Sequence, residues 1–123
     1  MSAKLMTKAH REQLEKNGIA QRQARDRREY IDFPPVVKLF TPDAGATWLL
    51  SEVYPDDPDI AFGLCDLGVG FPEVGDVRIS EIEAVRGPWG LPVERDRHFL
   101  PKKPLSAYAR EAREAREAGR IIA

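Results

Sequence analysis

The sequence predicts an α+β fold, a twisted and mainly antiparallel sheet of four or five strands with N- and C-terminal helices packed on it. Three observations carry this prediction. Residues 33–67, FPPVVKLFTPDAGATWLLSEVYPDDPDIAFGLCDL, contain three apolar strand-like segments separated by loops rich in Pro, Asp and Gly. Charged segments of helical character lie on either side of that stretch. A length of 123 residues allows one hydrophobic core and not two. A single domain over residues 1–123 is therefore expected, with a basic helical segment at 1–30, a sheet core at 33–100 and a C-terminal helix at 104–119.

Taken in order, Thr7 is a candidate N-cap and Asn17-Gly18 a candidate helix end, so the first helix is expected over Lys8–Lys16. Its apolar stripe of Met6, Ala9 and Leu14 is thin. Residues 19–29 either continue this helix past Gly18 or form a basic arm. Pro34-Pro35 bars helix before the first strand, Val36–Phe40, in which Val37 and Leu39 share one face. TPDAGAT forms a turn or longer loop, with Pro42, Asp43 and Gly45 as its turn residues. The second strand, Thr47–Tyr54, is rich in β-branched and aromatic residues. PDDPD at 55–59 reads as a polar hairpin connection to the third strand, Ile60–Leu67, which is apolar on both faces and expected at the centre of the sheet, covered on both sides.

GVGFPEVG at 68–75 is a glycine-punctuated loop, and Asp76–Ile79 a short fourth strand. Ser80 and Glu83 have capping-box spacing ahead of a brief helix that buries Ile82 and Val85 and stops at Gly87-Pro88. LPVERDRHFL, residues 91–100, is charged on both faces and fits a fifth strand at a sheet edge. After the linker at 101–104, the last helix opens at Leu105 or Ser106 and docks through Leu105, Tyr108 and alanines. Its three ARE triplets, Ala109–Glu117, drift by about 60° per repeat, so the arginines spiral around the helix. Arg110–Glu114 and Arg113–Glu117 are i,i+4 pairs in the weaker order.

An apolar content of 42% with 32% charged residues describes a water-soluble globular chain. No run approaches the roughly 18 apolar residues of a membrane span. MSAKLMTKAH lacks the apolar core of a signal peptide. The one cysteine, Cys65, has no internal disulfide partner, which points to a cytoplasmic location. The net charge of -1 hides a strong asymmetry, +4 over residues 1–30, -9 over 31–85 and +4 over 86–123. The basic ends either neutralise the acidic sheet or offer a face to a polyanion.

Several chemistries are weighed against these residues. His10 and His98 are far apart and no CxxC or HxxxH spacing occurs, so no soft-ligand metal site is expected. Cys65 in an apolar strand reads as an inert core thiol. Glycines 68, 70 and 75 match no phosphate-binding motif. Asp43, Glu52 and Asp66 with Lys38 have the residue types of a Mg²⁺-dependent nuclease, in which clustered carboxylates hold the ion and the lysine steadies the scissile phosphate. Pro42-Asp43 fits the start of such a motif, but Tyr54 stands where its lysine belongs. The alternative is that these carboxylates bind backbone amides or Lys38.

Nucleic acid would stack on Trp48, Tyr54, Phe62 and Phe71 only against the acidic balance of that region. Its more natural contacts are Arg22, Arg25, Arg27 and Arg28, or Arg95, Arg97, Lys102 and Lys103. Trp89, in a Gly-Pro-Trp-Gly loop, is either an exposed anchor at a protein interface or a cap on the core.

FPPVVKLFTPDAGATWLLSE followed by DPDIAFGLCDLG resembles a bacterial domain-of-unknown-function family, number 2958, whose members are short and often encoded on plasmids and other mobile elements. The TK..REQL.KNG opening, SEIEAVRG, LPVERDRHF, PLSAYA and the GRI ending extend the resemblance over most of the chain. The ARE triplets look like an extension of the family's shorter C-terminal helix. The resemblance implies no reaction and no catalytic residues. It implies a context in which accessory proteins of mobile DNA act on host machinery. The expected function is binding and modulation of a host protein or nucleoprotein complex, with anti-defence inhibition as one instance. The expected contact residues are Asp56, Asp57, Asp59, Trp89, Arg95 and Arg97, with no cofactor. The nuclease, with Mg²⁺ as its ion, and direct nucleic-acid binding remain the alternatives.

Overall fold

Residues 5–117 are described by a computed structural model. Their order is α1 (Lys8–Asp26), β1 (Val37–Phe40), β2 (Thr47–Tyr54), β3 (Asp57–Asp66), β4 (Glu73–Arg78), α2 (Ile79–Ala84), β5 (Glu94–Arg95) and α3 (Leu105–Glu117). The sheet runs β4-β3-β2-β1-β5 with every neighbouring pair antiparallel, so the expected α+β class is present with five strands. Residues 1–4 of the expected N-terminal segment, and 118 and 119 of the expected last helix, lie outside the described residues.

Strand periodicity sorts the side chains into two layers. Val37, Leu39, Trp48, Leu50, Val53 and Ala61 face Leu5, Met6 and Leu14 from the N-terminal segment and Ile79 and Ile82 from α2. On the other face Leu49 and Leu64 are covered by Leu105 and Ala109 of α3, flanked by Phe62, Val74, Phe99 and Tyr108. The centre belongs to β2, not β3 as the apolar pattern suggested. Both faces of β2 are buried, whereas β3 lies one place outward, between β2 and β4.

β2 outruns its neighbour. Pairing with β1 stops at Val37↔Leu50, and a register shift between Leu50 and Glu52 marks a bulge at that point. The backbone of Ser51–Tyr54 is left without a strand on the β1 side, and α1 takes its place. Asn17 Nδ2 donates to the Ser51 carbonyl at 2.9 Å. Gly18 approaches so closely that a Cβ there would stand 1.8 Å from the Val53 carbonyl oxygen.

This contact corrects the expected helix end. Gly18 does not stop the helix; it lets the helix lie against a strand edge, and α1 runs on to Asp26 as the first of the two readings of residues 19–29 allowed. The helix begins as expected. Thr7 Oγ1 accepts from His10 N–H at 3.1 Å, and His10 Nδ1 accepts from Thr7 N–H at 3.3 Å, so a histidine closes the capping box. It ends in paired bonds from Arg28 N–H to the Arg25 carbonyl and from Glu29 N–H to the Ala24 carbonyl, with Arg28 in the left-handed region at φ 58°.

Four further expectations are corrected. The PDDPD connection shrinks to Pro55-Asp56, because Tyr54 pairs with Asp57 and β3 begins there. Ser80 is not the N-cap of α2: Arg78 is, with no side-chain cap of its own, and Asp59 reaches across from β3 to accept from Ser80 N–H at 2.9 Å and Ser80 Oγ at 2.7 Å. The fifth strand is an edge strand as expected, but only two residues long. α3 is capped by the same device as α2, with Asp32 accepting from Ser106 N–H and Oγ. Its two expected i,i+4 pairs do not form among the described residues. Glu111 pairs instead with Lys103 at 2.6 Å, and Arg116 with Asp66 at 2.6 Å.

Gly18→Ala tests the close approach. Helix propensity alone favours alanine by about 1 kcal/mol. A methyl group wedged against the Val53 carbonyl costs about 3 kcal/mol, the upper end for overpacking. Urea unfolding is expected to show a net loss of about 2 kcal/mol, read as a lower midpoint at unchanged slope.

Candidate interaction surface

Antiparallel hairpins divide the loops between two ends of the sheet. The β1–β2 loop and the β3–β4 loop lie at one end, and the Pro55-Asp56 turn at the other, separated by the length of β2, roughly 25 Å for eight residues. At the first end the two loops touch, since a Cβ on Gly45 would meet the Gly68 Cα at 3.6 Å. The segment after α2 joins them. Asp43 Oδ2 accepts from Trp89 N–H at 2.8 Å, and Gly87 packs so tightly on that carboxylate that a Cβ would lie 1.8 Å from Oδ1.

The tips of these loops are apolar and open. Trp89 is 83% exposed, Val69 75% and Phe71 64%, with Leu67 and Leu91 also exposed. Gly68, Gly70 and Gly90 have φ of 82°, 66° and 79°, so the Val69 and Trp89 turns use backbone conformations that side-chain-bearing residues avoid. Of the two readings of Trp89, the exposed loop residue is the one observed. Arg116 of α3 ties the β3–β4 loop down by bonds to Asp66 and to the Gly70 carbonyl.

Beside this end runs an open groove of about 1050 Å³ along β1 and β5, lined by Lys38, Phe40, Glu83, Arg95, Arg97 and His98. Lys38 pairs with Asp96 at 3.8 Å, and Arg95 Nη1 donates to the Leu5 carbonyl at 2.8 Å. Arg97 is exposed and forms no ion pair among the described residues. Burial, and then the Arg95 charge, hold His10 below the usual imidazole range. Oδ1 of Asp43 and Oε2 of Glu83 are buried without a hydrogen-bond partner among the described residues.

The remaining candidates are scattered. Asp43, Glu52, Asp66 and Lys38 do not converge. Asp66 pairs with Thr47 at the start of β2, and Glu52 lies five residues further along that strand, roughly 16 Å away. No group of three or more His, Cys, Asp or Glu suited to a metal occurs among the described residues. Asp56 pairs with Arg22 at 3.1 Å, while Asp57 and Asp59 pair with Arg78 at 3.3 and 3.5 Å. The Ser80 hydrogen bonds hold Asp59 below the usual carboxylate range. The acidic turn is thus committed to internal bonds, at the end of the sheet remote from Trp89. Among the basic candidates, Arg27 pairs with Glu29 at 3.1 Å, and Arg25 stacks over the Tyr54 ring, 5.6 Å from its centroid. Lys103 lies 4.6 Å from the Tyr108 ring centroid, and Lys102 is exposed.

The groove, the loop end and the role of Asp43 in holding Trp89 were missed by sequence reasoning. The signal available was the flanking of Val69, Phe71 and Trp89 by glycines. Buried cores rarely need such spacing, and exposed tips often do.

Two outcomes follow from this geometry. Gly87→Ala is expected to push Asp43 aside and release Trp89, seen as lost hydrogen-exchange protection of the Trp89 amide with little change in the unfolding midpoint. The second concerns Glu52, whose carboxyl is raised above the usual range chiefly by burial. A folded-state pKa above the unfolded one means the native state binds the proton more tightly. Stability should therefore rise as pH falls from neutrality towards the unfolded carboxylate range. Glu52→Gln is expected to flatten that slope and to raise the melting temperature at pH 7.

No helix among the described residues is long and apolar enough to cross a membrane. No curated protein and no solved structure gives a match to this chain. A family profile does, described as Protein of unknown function (DUF2958), over residues 5–122. The match takes in every described element from the Leu5 that lines the groove to α3, so the chain belongs to the DUF2958 family.

Proposed function

We propose that this chain is a small binding protein of mobile DNA that attaches to and modulates a host protein or nucleoprotein complex, inhibition of a host defence nuclease being one instance. The contact surface in this reading is the loop-bearing end of the sheet, with Trp89 as anchor and Phe71, Val69 and Leu67 exposed on the loop at the same end. The observation that carries it is Trp89 itself, 83% exposed yet fixed at its backbone by Asp43. A backbone fixed in advance leaves only the two torsions of the indole to be ordered on binding, which suits an aromatic interface anchor. The groove along β5 supplies Arg95 and Arg97 as a polar rim beside it.

Nucleic-acid contact through α1 has one observation in its favour. Arg28 occupies a left-handed position that glycine would fill with less strain, and its side chain is exposed. This is the second reading, with Arg22, Arg25, Arg27 and Arg28 as contacts.

The test is an affinity pull-down from native-host lysate, with and without added nuclease, comparing the wild type with Trp89→Ala. A protein retained in both wild-type arms and weakened about 30-fold or more by Trp89→Ala, equivalent to about 2 kcal/mol, supports the interface. Retention that disappears with nuclease and is unchanged by Trp89→Ala transfers the function to Arg22, Arg25, Arg27 and Arg28.

A further inference from the structure

A second constellation lies on the α3-side face of the sheet, beyond the start of that helix and away from the Trp89 end. Glu52, Phe62 and Asp76 stand side by side on β2, β3 and β4 in adjacent register. Tyr54 closes over them, its hydroxyl donating to Asp76 Oδ1 at 2.9 Å.

Glu52 is the unusual member. It is 3% exposed, and a carboxylate so deeply buried ordinarily has a cation or several short hydrogen bonds. Its bonds both fall on Oε1, from Gln21 Nε2 at 3.3 Å and Ser51 Oγ at 3.4 Å. Charge-assisted bonds run nearer 2.7–2.9 Å. Gln21 is itself committed elsewhere, exchanging bonds with the Ile31 backbone at 2.8 and 3.0 Å. Arg25 acts on Glu52 at a distance and forms no ion pair with it among the described residues, because its guanidinium is stacked on the Tyr54 ring.

The chemistry on the page is that of a receptor for a cationic side chain. The Tyr54 ring, a buried carboxylate with one oxygen still able to accept, and a second carboxylate two strands away on β4 are components by which proteins hold guanidinium and ammonium groups. A guanidinium already rests on that ring. Glu52, Tyr54 and Asp76 all belong to residues 31–85, a stretch of net charge -9, so a basic partner is favoured over an acidic one.

We propose that Glu52, Tyr54 and Asp76 form a binding site for an arginine side chain of a partner protein, which Arg25 flanks from α1. The arriving guanidinium donates to Glu52 Oε2 and lies against Tyr54, displacing Arg25 towards solvent. Arginine is preferred to lysine because its planar fork satisfies a carboxylate and stacks on a ring at once. This site is independent of the Trp89 surface: loss of binding on Trp89→Ala leaves it untouched, and the converse holds for Glu52→Gln.

The test uses the whole chain, ¹⁵N-labelled, titrated at pH 7.5 with a capped Gly-Arg-Gly-Arg-Gly peptide and with the same peptide carrying citrulline in place of arginine. Citrulline keeps the shape and removes the charge. The expected result is saturable shifts of the Glu52, Tyr54 and Asp76 amides and of the Gln21 side-chain amide, at least tenfold weaker with citrulline. Glu52→Gln should weaken the arginine peptide at least fivefold while melting no lower than wild type. Arg25→Ala should tighten it by removing the resident cation. The proposal is overturned if the shifts centre on Asp56–Asp59, if citrulline binds as well as arginine, or if Glu52→Gln binds undiminished. Weakening by Arg25→Ala would equally overturn it, since Arg25 would then be part of the receptor.

Discussion

The fold depends on how the unpaired half of β2 is closed. A central strand with both faces buried has its Ser51 and Val53 carbonyls directed away from β3, with no strand beyond them. Left open, that backbone would be a template for foreign strands as well as a loss of hydrogen bonds. α1 meets both needs with two adjacent residues. Asn17 supplies the donor a strand would have supplied, and Gly18 lets the helix axis come close enough for Asn17 to reach. At the bulge, the consecutive carbonyls of Leu50 and Ser51 are both taken, the first by Val36 N–H and the second by Asn17. The position of α1 against β2 follows from this contact together with Leu14, its one large side chain in the main core.

The sheet was legible in the sequence because its signals are local: Pro34-Pro35 before β1, β-branched and aromatic residues in β2, turn residues between the strands. Those features depend on a strand's own composition and survive without knowledge of its neighbours. What failed was whatever a distant residue decides. Gly18 carries the mark of a helix stop, and only the Val53 carbonyl reveals the opposite role. Ser80 and Glu83 have capping-box spacing, yet Asp59, 21 residues earlier, takes the serine. The third strand is the most apolar, but centrality is set by pairing order, which puts β2 third of the five strands and β3 next to it.

Functional residues were legible by type more than by grouping. Trp89 stood out from its glycine and proline neighbours, and the structure leaves it exposed. Asp43 also stood out, as a possible metal ligand, whereas its carboxylate anchors the Trp89 loop. The Asp56–Asp59 turn was conspicuous for charge, but Arg22, Arg78 and Ser80 consume most of that charge internally. Glu52 was noticed as one of several carboxylates. Its distinction is burial without a close cation, a property of three dimensions that no spacing rule detects.

The serine–aspartate clasps at α2 and α3 have a consequence for how the chain is assembled. Each helix draws the acceptor for its first turn from a different part of the chain, Asp59 for Ser80 and Asp32 for Ser106, the latter 74 residues apart in sequence. Neither helix has its stabilising terminus until remote segments have docked, so helix formation and sheet closure are bound into one event. Short helices of six and thirteen residues would not persist alone in water. The chain therefore behaves as a single cooperative unit across the whole sheet, and α3 cannot peel away as a separate arm without surrendering the clasp that makes it a helix.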